Sequence, residues 1–156
     1  MKKIVLVLFV ILASLTVGVM TCQAQQDPAN VGTPAFKPLQ SNSMNMTLKY
    51  GFLGASVYDS SMKKWIFHKM TTITRSKVEG YVNMINDNFA LAAGLYEVSL
   101  YDYGKHSWFT YKKGCDDSTG MLNRNFEMTK DYVKVKILNG PWIKYTTATG
   151  WQEVAK

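Results

Sequence analysis

From Leu48 onward the chain runs in short apolar and polar steps, broken every roughly 8 to 12 residues by Gly, Asn, Asp or Ser. The intervening stretches are rich in Val, Ile, Thr, Tyr, Phe and Trp, the side chains that fit a pleated surface. Strands are predicted near 48–58, 64–74, 77–85, 95–102, 107–113, 121–128, 131–138, 141–147 and 150–154. The clearest is 131–138, with Val133, Val135 and Ile137 on one face and Lys134 and Lys136 on the other. In 95–101, Tyr96, Val98 and Leu100 are expected to point inward. Asn139-Gly140 marks a turn, lengthened because Pro141 has no amide to close a two-residue loop. The one helical candidate, 82–93, keeps helical spacing poorly and would hold a short turn at most.

One stretch occurs twice. Ser56-Val57-Tyr58-Asp59 followed by Trp65 and Lys69 returns 43 positions later as Ser99-Leu100-Tyr101-Asp102, Trp108 and Lys112. Each copy reads as a β-hairpin with its loop at 59–64 or 102–107. Tyr58 then stands opposite Trp65 and Tyr101 opposite Trp108, while Val57 meets Ile66 and Leu100 meets Phe109 on the core side. The period of 43 falls in the range of propeller blades, but two copies cannot close a ring without further chains. Good hairpin chemistry alone accounts for the likeness.

Strands without helical crossovers predict an all-β fold: an antiparallel β-sandwich of about seven to nine short strands, with a small closed β-barrel as the alternative. Residues 55–103 also resemble the transthyretin-like or carboxypeptidase-regulatory-like (prealbumin-like) domains. The resemblance lies in Val57-Tyr58-Asp59, Thr71 and Thr72, Gly80-Tyr81, and Ala93-Gly94-Leu95-Tyr96-Glu97-Val98. Ala92 stands where those domains carry Pro, and nothing after Tyr103 has a counterpart. The resemblance implies a sandwich and transfers no activity.

The N-terminus changes the setting. Lys2 and Lys3, the apolar run Ile4 to Met20 and the Cys22-Gln23-Ala24 pattern form a signal peptide over 1–24, with cleavage before Gln25. The run is short for a spanning helix and has no stop-transfer flank. Val19-Met20-Thr21-Cys22 loosely resembles a lipoprotein box, so membrane attachment is expected only if Cys22 is lipidated. Residues 25–46, with Pro28, Pro34 and Pro38, read as a flexible tether, and 47–156 as one domain. After cleavage Cys115 is the sole cysteine, which leaves no internal disulfide.

Charge narrows the partners. Loss of Lys2 and Lys3 takes the net charge from +7 to +5, and the only arginines are Arg75 and Arg124, which argues against nucleic-acid recognition. His68 and His106 lie at unmatched positions with no metal or catalytic spacing, so neither a metal nor a cofactor is expected. Asp59 and Asp102 read as turn formers. Cys115-Asp116-Asp117-Ser118-Thr119-Gly120 reads as a solvated turn, since its adjacent aspartates do not alternate as calcium ligands do. The remaining site is aromatic: Tyr58, Trp65, Tyr101 and Trp108 on an outer face, offering flat surface to a carbohydrate or protein partner. The expected function is therefore a secreted or cell-envelope, non-enzymatic binding or structural module. The alternatives are a barrel carrier of an apolar ligand and a small hydrolase built from Cys115 and a histidine.

Overall fold

The computed structural model describes residues 31, 37–51, 53–70, 82–94, 97–112, 125–137 and 140–155. These form twelve strands in three antiparallel four-stranded sheets, and no sheet among them closes into a barrel. The all-β sandwich expected from the strand pattern is present, with a third layer. The first sheet contains β1 (Leu39–Gln40), β2 (Met46–Gly51), β3 (Gly54–Asp59) and β4 (Lys64–Lys69). The second contains β5 (Val82–Ile85), β6 (Phe89–Ala93), β7 (Val98–Asp102) and β8 (Ser107–Tyr111). The third contains β9 (Phe126–Met128), β10 (Val133–Lys136), β11 (Trp142–Thr146) and β12 (Gly150–Val154). Within each sheet the strands lie in chain order, so each is a simple meander.

The second sheet is the middle layer. Its Ala90, Ala92 and Tyr101 share a core with Met46, Leu48, Tyr50, Ala55 and Val57 of the first sheet. Its Phe89, Leu91, Val98 and Leu100 share another with Val133, Val135, Ile143 and Tyr145 of the third. Burial on both faces explains why β6 shows no alternation: a strand covered on each side reads as a continuous apolar run. It also corrects the helical candidate at 82–93, which is the hairpin β5–β6. Asn86 makes that turn, its Oδ1 accepting the amides of Asn88 at 2.9 Å and Phe89 at 2.7 Å. The small side chains of Ala90 and Ala92 let the first two sheets approach.

The predicted registers hold. Tyr58 pairs with Trp65, Val57 with Ile66, Tyr101 with Trp108 and Leu100 with Phe109. Val133, Val135 and Ile137 are buried, with Lys134 and Lys136 on the opposite face. Val98 and Leu100 are buried as expected, but so are Ser99 and Tyr101, because the outward side of β7 meets another sheet. Within the stretch read as a tether, Leu39–Gln40 pair with β2, and Val31 is buried beside Gly51 and bonds the Leu53 amide through its carbonyl. The stretch 1–24 read as a signal peptide, with Cys22, the predicted strand positions 71–81, 113 and 121–124, Tyr96 and the Cys115 to Gly120 loop lie outside the described residues.

Candidate functional site

The likeness between the hairpins goes beyond hairpin chemistry, because it recurs a third time and builds the seams between sheets. Tyr145 and Trp151 of the third sheet pair across β11 and β12 as Tyr101 and Trp108 do across β7 and β8. A positive φ closes the connection in each sheet: at Lys63 (51°) and His106 (51°), the last turn residues, and at Gly150 (70°), the first residue of β12.

At the first seam the Tyr101 hydroxyl donates to Asp59 Oδ2 at 2.7 Å, and the Trp108 indole N–H donates to the Ile66 carbonyl at 3.1 Å. At the second, the Tyr145 hydroxyl donates to Asp102 Oδ2 at 2.9 Å, and the Trp151 N–H donates to the Phe109 carbonyl at 3.1 Å. Each Tyr–Trp pair thus docks its sheet onto the preceding one, reaching the aspartate at the end of the third strand and a carbonyl of the fourth. The aspartates do shape their turns, as the sequence suggested. Asp59 Oδ1 accepts the Ser61 and Met62 amides and the Ser61 hydroxyl; Asp102 Oδ1 accepts the Gly104 and Lys105 amides. Their second oxygens hold the seams.

Protonation states follow from this wiring. Burial raises the Asp59 pKa, but hydrogen bonds from Ser61, Tyr101, His106 and Met62 outweigh it and hold the carboxyl below its usual value. Burial, then the bonded aspartate, pushes the Tyr101 and Tyr145 hydroxyls well above the usual tyrosine range, so both remain donors.

The four predicted site residues divide. Tyr101 is fully buried and Trp108 is half-buried with its N–H engaged, so this pair joins two sheets and presents no outer face; that is a correction to the expectation. Tyr58 and Trp65 do lie on an outer face, half-buried, with ring centroids 5.5 Å apart. Strand alternation places Thr47, Lys49, Ser56 and Phe67 on the same side. Lys49 Nζ sits 4.7 Å from the centre of the Trp65 ring. Among the described residues no sheet packs here, and neither the Tyr58 hydroxyl nor the Trp65 N–H has a hydrogen-bond partner.

The histidines fall in separate clusters. His106 Nδ1 meets Asp59 Oδ2 at 2.8 Å, another tie across the first seam. His68 Nε2 meets Ser99 Oγ at 2.9 Å, Thr110 Oγ1 at 3.2 Å and Glu97 Oε1 at 3.5 Å, and its ring stacks on Trp108. A hydrolytic triad needs hydroxyl and acid on opposite ring nitrogens. Here both meet Nε2, and Ser99 is fully buried. Glu97 is buried, which raises its pKa, but His68 and the Lys112 ammonium at 3.1 Å bring it down to about 2. Among the described residues no group of His, Cys, Asp and Glu could hold a metal ion.

The far side of the third sheet differs from the Tyr58–Trp65 face. Lys134, Lys136 and Lys144 share it with Tyr132 and Trp142; Lys134 lies over Trp142 and Lys144 over Tyr132.

Comparison with known proteins returns no matching family model, curated protein or solved structure. The geometry alone therefore carries the functional reading. Sequence reasoning missed the third copy because Thr146 stands where the first two have Asp; the spacing of Tyr145 and Trp151 from Tyr101 and Trp108, 44 and 43 positions, was the available signal.

Proposed function

We propose that this chain is an exported, non-enzymatic binding module that takes a protein partner on the outer face of its first sheet. One observation carries the reading. The same Tyr–Trp pair is used three times, and twice it docks onto a protein sheet through its O–H and N–H donors. The remaining pair, Tyr58 and Trp65, keeps those donors without an acceptor among the described residues. A carbohydrate is less well served, because stacking needs a free ring face and Lys49 covers one face of Trp65. Export rests on the N-terminal signal pattern, and mature protein recovered from producing cells is expected to begin at Gln25.

The test uses a photo-reactive residue in place of Phe67. The expected product is a protein adduct that disappears when Tyr58 and Trp65 are both alanine. Saturable quenching of Trp65 fluorescence by glycans, absent in Trp65→Phe, would instead establish a sugar site and reject this reading.

A further inference from the structure

The two internal seams define what fits the open face. Ser56 Oγ, Tyr58 OH and Trp65 Nε1 occupy the positions of Ser99 Oγ, Tyr101 OH and Trp108 Nε1. In the second sheet all three are engaged: by His68 Nε2 at 2.9 Å, Asp59 Oδ2 at 2.7 Å and the Ile66 carbonyl at 3.1 Å. In the first sheet Ser56 is fully buried and its Oγ has no partner. Ser56 lies beneath that face, so the donors a partner would meet are the half-buried Tyr58 hydroxyl and Trp65 N–H.

The chain's own third sheet is the natural rival for this position, and its outer face is wrong for it. Lys134 and Lys144 stand where the second sheet has Leu91 and Leu100, Lys136 where it has Ala93, and Thr146 where it has Asp102. Lys134 and Lys144 are also directly opposite one another in register. Covering them with an aliphatic sheet would bury unpaired ammonium groups, and Thr146 brings no carboxylate to meet the Tyr58 hydroxyl. A polar outer face is what the terminal repeat of a stack carries. The first face carries Lys49 where the second sheet has Ala92, its ammonium over the Trp65 ring at 4.7 Å, whereas the last face carries three lysines, two of them directly opposite each other.

We infer that the outer face of the first sheet docks a different protein, one presenting an antiparallel β-sheet with an aliphatic face, a carboxylate at a strand end and an edge-strand carbonyl. This rests on the protein-partner reading above and names the chemistry of that partner. The third-sheet face of a second copy fits this place poorly because of its lysines.

The inference is tested with a defined probe: this protein carrying Lys134→Leu, Lys136→Ala, Lys144→Leu and Thr146→Asp, so that its last face copies the one that Tyr145 and Trp151 dock on. The probe also carries Tyr58→Ala and Trp65→Ala, so that it cannot stack on itself. Light scattering of the wild type alone is expected to give the single-chain mass, and mixing it with the probe a 1:1 complex of twice that mass. Trp65→Ala in the wild-type partner is expected to weaken the complex about tenfold or more, and restoring threonine at 146 in the probe to weaken it similarly.

Two results overturn the inference: no complex from a probe that keeps the wild-type circular dichroism and a cooperative unfolding transition, or association of the wild type with itself through Trp65. If the full probe does not fold, Lys144→Leu with Thr146→Asp on the same Tyr58→Ala, Trp65→Ala background replaces it, under the same two outcomes. Failure here with a persisting protein adduct at position 67 removes only the partner chemistry. Failure together with glycan quenching removes the protein-partner reading as well.

Discussion

Tyr145 donates its hydroxyl to Asp102 Oδ2 at 2.9 Å across the second seam, and among the described residues no other group reaches that oxygen. Asp59 Oδ2, its counterpart at the first seam, is shared between Tyr101 and His106. Tyr145→Phe leaves a buried carboxylate oxygen without a donor and is expected to cost about 2 to 3 kcal/mol. Tyr101→Phe leaves His106 in place and is expected to cost about 1 to 2 kcal/mol. Urea unfolding of the two variants checks the order.

The tryptophans separate in the same way. Trp108→Phe and Trp151→Phe each strand a seam carbonyl and leave a gap, for an expected loss of about 1 to 2 kcal/mol. Trp65→Phe removes an indole N–H that bonds nothing among the described residues, and is expected to change stability by less than about 0.5 kcal/mol. Equal losses at all three positions would show that Trp65 is a structural residue.

The turns make a prediction about backbone strain. Lys63 takes φ 51° at the end of its turn and Gly150 takes φ 70° at the start of β12, and only glycine adopts this region freely. Lys63→Gly is expected to stabilise by about 0.5 to 1 kcal/mol, and Gly150→Ala to destabilise by a similar amount, read as opposite shifts of the thermal midpoint. His106→Gly gains the same backbone relief and loses the bond to Asp59, so it should fall below Lys63→Gly.

Much of this was legible in the sequence, for a local reason. The Tyr–Trp registers, the turn-forming aspartates and the lysine side of β10 follow from a period of two and from side-chain reach, which operate within a hairpin. The stacking order depends on what covers the second side of a strand, and short-range pattern does not report that. Tyr101 and Trp65 have similar local surroundings in the chain; one is buried because the first sheet packs over it, and the other lies on a face where, among the described residues, no sheet packs. Ala90 and Ala92 illustrate the same limit, since a run of small residues suits both a helix and a strand pressed between two sheets.

Acid is expected to loosen the first seam. Glu97 is held at about 2 and Asp59 is also depressed, so each binds protons more readily in the unfolded chain. Their contribution is fully present above the ordinary carboxylate range and is lost as pH falls from about 4.5 toward 2. The urea midpoint should therefore drop steeply over that window. In Glu97→Gln, which should be less stable by about 1 to 3 kcal/mol at neutral pH, the drop should be shallower.

The spacing of the seam bonds bears on how the molecule is assembled. The hydrogen bonds that cross a seam among the described residues join positions 31 to 47 apart. Each docking event therefore closes a loop of about one sheet's length, and the entropy of loop closure hardly changes from the first seam to the second. A sheet can settle on its predecessor as soon as its own strands have formed, without waiting for the far end of the chain. This favours folding in the order in which the sheets emerge, beginning at the end that carries the Tyr58–Trp65 face.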